Sequence, residues 1–257
     1  MLNNRKEQVM SLRDRNKGTL TTTGAEKPSI KGSLRKASSG AVARPDGSAL
    51  KAVEKVAARN GIVGRANIGL IVDATASRSA QWEEAQKVQR NMFDIIGAMS
   101  LRLMHYGGNE LTDHGWQDDA DEVAARMAQV QCNGGQTQFI DGFRRFLADG
   151  PNDNPAKSII MIGDSYEEED PTPIANALKE KGIAVYAFHK GGDTLAEEEF
   201  RKIAEITGGA FAKFGPDMPL KDLCEGVALK TSGGASALNR LQNAAARQLL
   251  LGGPSQG

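Results

Sequence analysis

Several absences narrow what this chain can be. Its 257 residues include two cysteines, Cys132 and Cys224, far apart and without metal-ligand spacing, so reduced thiols are expected rather than a disulfide framework or a zinc site. The three histidines, His105, His114 and His189, are scattered, and no Ser/His/Asp or Cys/His order follows from their spacing. Single histidines at strand ends are structural more often than catalytic. No apolar run is long enough to cross a bilayer and no signal-peptide stretch follows residues 1–7, so a cytoplasmic protein without membrane contact is expected. Neither Gly107-Gly108 nor Gly134-Gly135 opens a Walker loop or a dinucleotide fingerprint. Net charge is lacking too, with 32 Lys and Arg against 32 Asp and Glu.

That balance hides an asymmetry, because the first 60 residues carry about +8 and the remainder about −8. Residues 1–47 are rich in Lys, Arg, Ser, Thr and Gly, poor in large apolar side chains, and without sustained period. Too little surface could be buried there to offset the entropy of ordering, which suggests a flexible basic tail. A tether to nucleic acid is one use for it, although no aromatic residue interleaves the charges to stack on bases. Residues 48–64 form a helical lead-in, with Leu50, Val53 and Val56 at helical spacing and a stop at Gly61.

From residue 65 to 230 short apolar runs alternate with amphipathic segments, the pattern of an α/β domain whose mostly parallel sheet is covered by helices on both faces. Strands are expected at 67–72, 100–106, 158–163, 183–188 and 210–214, and helices at 79–98, 119–131, 138–148, 172–181, 195–207 and 218–230. The stretch after Gly107-Gly108-Asn109 is too short for a crossover helix, so a tight turn into an antiparallel edge strand is expected at 111–116. Residues 231–257 read as a linker followed by a helix with Leu238, Leu241, Ala245 and Leu249 on one side, packed on the domain or offered to a partner.

The chemistry concentrates where the run Ile-Gly-Leu-Ile-Val ends in Asp73, with hydroxyls at Thr75 and Ser77. A buried strand opening into an oxygen-rich loop is the usual position of a ligand site in an α/β sheet. Thr137, in Gly-Gly-Gln-Thr-Gln-Phe, and Asp164, directly after the strand Ser-Ile-Ile-Met-Ile-Gly, supply matching pieces. Three loops could thus gather hard oxygens around one point, which suits a small divalent cation such as Mg²⁺ better than zinc or copper. The plainer alternative is that Asp73 caps a helix while Thr75 and Ser77 satisfy loop backbone. Glu167, Glu168, Glu169 and Asp170 belong to the rim of this site or form a solvated face, and Asp118, Asp119, Asp121 and Glu122 enrich a first helical turn.

In these residues the chain resembles the von Willebrand factor A (VWA) family, whose metal-ion-dependent adhesion site (MIDAS) reads Asp-x-Ser-x-Ser, then Thr on a second loop, then Asp after a later strand. Asp73, Thr75 and Ser77 match the first element with Thr in place of the first Ser, and Thr137 and Asp164 match the others. The resemblance implies a doubly wound, Rossmann-like sheet with one antiparallel edge strand. It also implies Mg²⁺, Mn²⁺ or Ca²⁺ held by Thr75, Ser77 and Thr137 directly and by Asp73 and Asp164 directly or through water. A coordination position is then open to the Asp or Glu of a partner protein. A non-enzymatic adaptor or accessory protein follows, and intracellular bacterial relatives often act with ATPase or chaperone complexes. Gly163-Asp164-Ser165 is also similar to the last acidic motif of haloacid-dehalogenase-like phosphatases, with Asp73 as nucleophile, Thr137 and Lys157. Those enzymes carry a general acid where this chain has Thr75.

Overall fold

The computed structural model describes residues 66–78, 82–96, 99–150 and 155–252. The expected basic tail, the helical lead-in and the nucleic-acid reading built on them lie outside the described residues. Strand β1 (Ala66–Asp73) is buried along its whole length, as its unbroken apolar run requires of a central strand, and ends on the carboxylate of Asp73. Helix α1 (Trp82–Ile96) carries the chain to β2 (Met99–Gly107), which pairs parallel to β1 from Ala66↔Met99 to Asp73↔Tyr106. Gly108 and Asn109 then turn with φ of 65° and 62°, the positive values a two-residue hairpin needs, and β3 (Glu110–Gln117) returns antiparallel. The edge strand is therefore where the shortage of connecting residues places it.

Helices α2 (Ala120–Met127) and α3 (Phe139–Leu147) precede β4 (Ser158–Gly163), which joins the other side of β1. Helix α4 (Thr172–Glu180), β5 (Ala184–His189), α5 (Thr194–Thr207) and β6 (Ala210–Lys213) extend the sheet to the order β3-β2-β1-β4-β5-β6. All pairings but β2–β3 are parallel. The chain ends with α6 (Leu220–Ala237) and α7 (Ala244–Leu250).

Alternate residues of each strand feed two cores. Ile68, Leu70 and Val72 of β1 pack with Val88, Met92, Val123, Met127, Leu223 and Val227 on one face, whereas Ile71, Ile159 and Met161 pack with Phe139, Phe143, Phe146 and Phe200 on the other. The order reverses at β1, whose neighbours β2 and β4 run to opposite edges. Such a switch point opens a crevice at the carboxyl ends of the central strands. Asp73 ends β1 at that crevice, and Asp164 follows β4 there.

Three local expectations need correction. Helix α2 stops at Met127 rather than 131, where the Met127 carbonyl is occupied by Trp82 Nε1 at 3.2 Å and Gln86 Nε2 at 3.0 Å. Residues 231–236, expected as linker, instead continue α6, because Thr231 and Ser232 turn their hydroxyls onto the Val227 and Ala228 carbonyls at 2.7 and 2.9 Å; the break falls at Gly234, with φ 67°. In α7 it is Ala246, not Ala245, that joins Leu238, Leu241 and Leu249 against the main core. Of the two roles expected for this terminal helix, the structure shows packing on the domain.

Candidate metal centre at the carboxyl edge of the sheet

Asp73 leaves the sheet fully buried. Its Oδ1 accepts the Thr75 backbone N–H at 2.7 Å, and this short ring turns the chain so that Thr75 Oγ1 and Ser77 Oγ share a hydrogen bond of 3.0 Å. Thr75 is buried and Ser77 exposed, so the pair reaches from the crevice floor to solvent. The other Asp73 oxygen, Oδ2, is buried without a hydrogen-bond partner. Burial pushes the Asp73 carboxyl up to about 6; the bonds from Thr75 pull it down, and the nearby Asp164 carboxylate pushes it up further. Two carboxylates share this crevice and only one of Asp73's oxygens is satisfied.

Asp164 is fixed through its backbone. Its carbonyl lies 3.2 Å from Nε2 of the buried His189, and the following loop comes close enough that a Cβ on Gly191 would lie 3.7 Å from Asp164 Cβ. The loop carrying Thr137 is strapped to both neighbours. Asn133 N–H donates to the Ala74 carbonyl at 3.1 Å, Gln136 N–H to Asn109 Oδ1 at 3.0 Å, and Ala74 N–H to the Tyr106 carbonyl at 2.9 Å. Gly135 crosses so near the hairpin that a Cβ there would stand 2.6 Å from the Asn109 nitrogen. The buried Thr137 accepts the Glu167 N–H at 2.9 Å through its hydroxyl oxygen.

The structure thus places Asp73, Thr75 and Ser77 in one turn, Asp164 beside Asp73, and Thr137 against the loop that follows Asp164. Among the described residues no three His, Cys, Asp or Glu side chains gather as a metal-binding group, so any cation set here combines two carboxylates with hydroxyls. The acidic run divides. Glu169 and Asp170 are exposed and face Arg144 and Lys202, but Glu168 turns inward and accepts the Phe139 and Ile140 N–H groups at 2.6 and 2.9 Å.

Two residues of the crevice, His189 and Tyr106, were not singled out as site residues from sequence, and Glu168 was named only with the acidic run placed at the rim or on a solvated face. Glu168 looked like part of a charge run, and the one hint was that Gln138, before α3, makes a poor cap. His189 gave no signal beyond its place at a strand end. Tyr106 is wholly buried on β2, and burial with the negative charge of Asp73, Glu168 and Asp164 raises its pKa well above the usual value, so its proton is retained. Lys157, which the phosphatase reading requires, sits one residue before β4, its N–H on the Asn67 carbonyl at 2.9 Å. Asp73 ends the paired strand six residues beyond Asn67, about 20 Å away at ~3.3 Å per residue. That reading loses its lysine.

No protein-family model and no curated protein matches the chain. Solved structures do. BatB from Bacteroides thetaiotaomicron aligns with a TM-score of 0.54 at 15% identity, over 66% of this chain and 99% of that one. A von Willebrand factor type A structure from Catenulispora acidiphila gives 0.52 at 16%, over 66% of this chain and 43% of the other. Proximal thread matrix protein 1 of the mussel byssus, with a zinc-occupied MIDAS motif, gives 0.53 at 18%, over 65% and 45%. Identities this low speak for architecture alone, and that architecture is the VWA fold.

Proposed function

We propose that the chain is a non-enzymatic protein-interaction module whose strand-end crevice holds a divalent cation and through it receives an Asp or Glu of a partner protein. The observation that carries this reading is Asp73, whose Oδ2 is buried and unpartnered and whose carboxyl is raised by the neighbouring Asp164. Leaving a buried anionic oxygen unsatisfied is costly, and a cation would relieve both the missing bond and the repulsion. Asp73, Thr75, Ser77, Thr137 and Asp164 would hold it; these hard oxygens fit Mg²⁺, Mn²⁺ or Ca²⁺. When bound, such an ion supplies an open coordination position for a carboxylate oxygen. The mussel neighbour's zinc-occupied motif supports a divalent ion in this fold.

The protein's own residues do the rest. Thr75 N–H holds one Asp73 oxygen aside, His189 fixes the Asp164 backbone, and the straps through Asn133 and Gln136 keep Thr137 at the crevice. Thr75 stands where a phosphatase carries its general acid, which favours an adaptor or accessory role, in the cytoplasm and with an ATPase or chaperone complex as one partner class. No helix among the described residues is long and apolar enough to cross a membrane. The test is calorimetric titration with MgCl₂ and MnCl₂, beside thermal melts of the parent protein, Asp73→Ala and Asp164→Ala. A metal-dependent rise in melting temperature, absent from both variants, is expected. An identical response in all three would sink the assignment.

A further inference from the structure

We propose that Glu168 is a positioning residue of this site, clamping the first turn of α3 directly after Thr137 and so locking the second site loop to the third. The inference rests on the cation reading above and adds a residue which that reading does not contain. Helix α3 begins at Phe139 after Gln138, whose side chain makes no capping bond. The first N–H groups of a helix have no partner within it and need an acceptor from elsewhere. Glu168 supplies it from another loop, Oε1 accepting from Phe139 at 2.6 Å and Oε2 from Ile140 at 2.9 Å. A carboxylate there also sits favourably at the positive end of the helix.

Next to that carboxylate in the chain, the Glu167 N–H donates to Thr137 Oγ1 at 2.9 Å, two residues before the clamped turn. A hydroxyl has one proton and two lone pairs, so one lone pair remains for a ligand. Its position is set by that bond and by the clamp on the turn that follows. Both come from the segment that begins with Asp164, so the residue following β4 and the hydroxyl before α3 are presented by one clamped unit. With a backbone donor already on each of its oxygens, Glu168 holds the loop that carries the ligand and is not itself one.

Glu168→Gln keeps the shape but turns an amide toward an N–H, depriving the first turn of α3 of an acceptor. Under conditions where circular dichroism shows the metal-free variant folded, its Mg²⁺ affinity should fall about tenfold or more, as for other residues that orient metal ligands. Thr137→Val should weaken Mg²⁺ to a similar degree, and the double variant should be no weaker than Thr137→Val alone. A helix cap with no other role would instead lower the metal-free melting temperature, leave the Mg²⁺ affinity unchanged, and overturn the proposal. The parent protein gives a second reading that needs no variant to fold. Amide exchange at Phe139, Ile140 and Glu167 should slow on Mg²⁺ saturation, and unchanged exchange there counts against the clamp. A parent protein with no Mg²⁺ response overturns the cation reading and this role with it, whereas a responsive parent with Glu168→Gln binding equally well overturns only the role.

Discussion

Asp73→Asn should stabilise the metal-free protein while destroying its response to metal. The amide oxygen can keep the Thr75 N–H bond now made by Oδ1 at 2.7 Å, and the uncharged amide removes the repulsion from the neighbouring Asp164 along with the unpartnered Oδ2. The carboxyl it replaces stands at about 6 against a usual 3.8. A carboxyl raised on folding contributes stability that is complete below its unfolded pKa and is lost as pH rises through the folded one. At pH 8 the loss is complete, and at ~1.36 kcal/mol per pH unit it amounts to about 3 kcal/mol. The Asn variant escapes it, so its gain in EDTA approaches about 3 kcal/mol at pH 8, about half that at pH 5, and little at pH 4. For a domain of this size each kcal/mol moves the melting temperature by roughly 2–4 °C. Saturating Mg²⁺ should reverse the order, since a thousandfold excess over Kd adds about 4.1 kcal/mol to the parent and nothing to the variant. Thermal melts from pH 4 to 8, with EDTA and with Mg²⁺, test this. A variant less stable than the parent in EDTA at pH 8, or a gain independent of pH, would refute the reasoning.

Gly209→Ala should be far worse than Gly208→Ala: a Cβ on Gly209 would lie 1.8 Å from the Val185 carbonyl oxygen. Urea unfolding should show a loss on the order of 3 kcal/mol or more at Gly209, against about 1 kcal/mol for the left-handed cap at Gly208, and equal losses would contradict the geometry. His105 Nδ1 and His114 Nε2 share a hydrogen bond at 3.0 Å, and burial with the neighbouring imidazole holds His105 down to about 4. Between about 6.5 and 4 the unfolded chain therefore binds more protons at His105, so that residue's contribution falls as pH drops; His105→Gln should lose less stability than the parent across that window, and parallel curves would count against it. Generic phosphomonoesters should not turn over with Mg²⁺, since Lys157 lies at the far end of the sheet from Asp73; turnover that disappears in Asp73→Asn would reopen the phosphatase reading.

What the sequence showed was set by how local each cause is. Strands β1 and β4 read directly from unbroken apolar runs, and the edge strand from a Gly-Gly-Asn turn with too little chain for a helix. Asp73, Thr75 and Ser77 were legible because strand end, carboxylate and hydroxyls lie within five residues. The end of α2 was not, because the Met127 carbonyl is taken by Trp82 and Gln86 from another helix. Residues 231–236 looked like linker because Ser and Gly favour loops, yet two hydroxyls bonding back along α6 satisfy themselves within the helix. Glu168 was hidden for the same reason as the end of α2: its partners, Phe139 and Ile140, lie 29 and 28 residues away.

That nonlocality has a physical purpose in a site built from like charges. Asp73 is buried and Asp164 raises its carboxyl further, so like charge works against the closed crevice. Local turns cannot resist this, since the two residues end different strands. The resistance comes from bonds across loops: Asn133 to Ala74, Gln136 to Asn109, His189 to the Asp164 carbonyl, and the Glu168 clamp on α3. Each fixes backbone and leaves Asp73 Oδ2 unsatisfied. A crevice braced in this way keeps its unmet demand for positive charge, which is the property a cation-dependent contact needs.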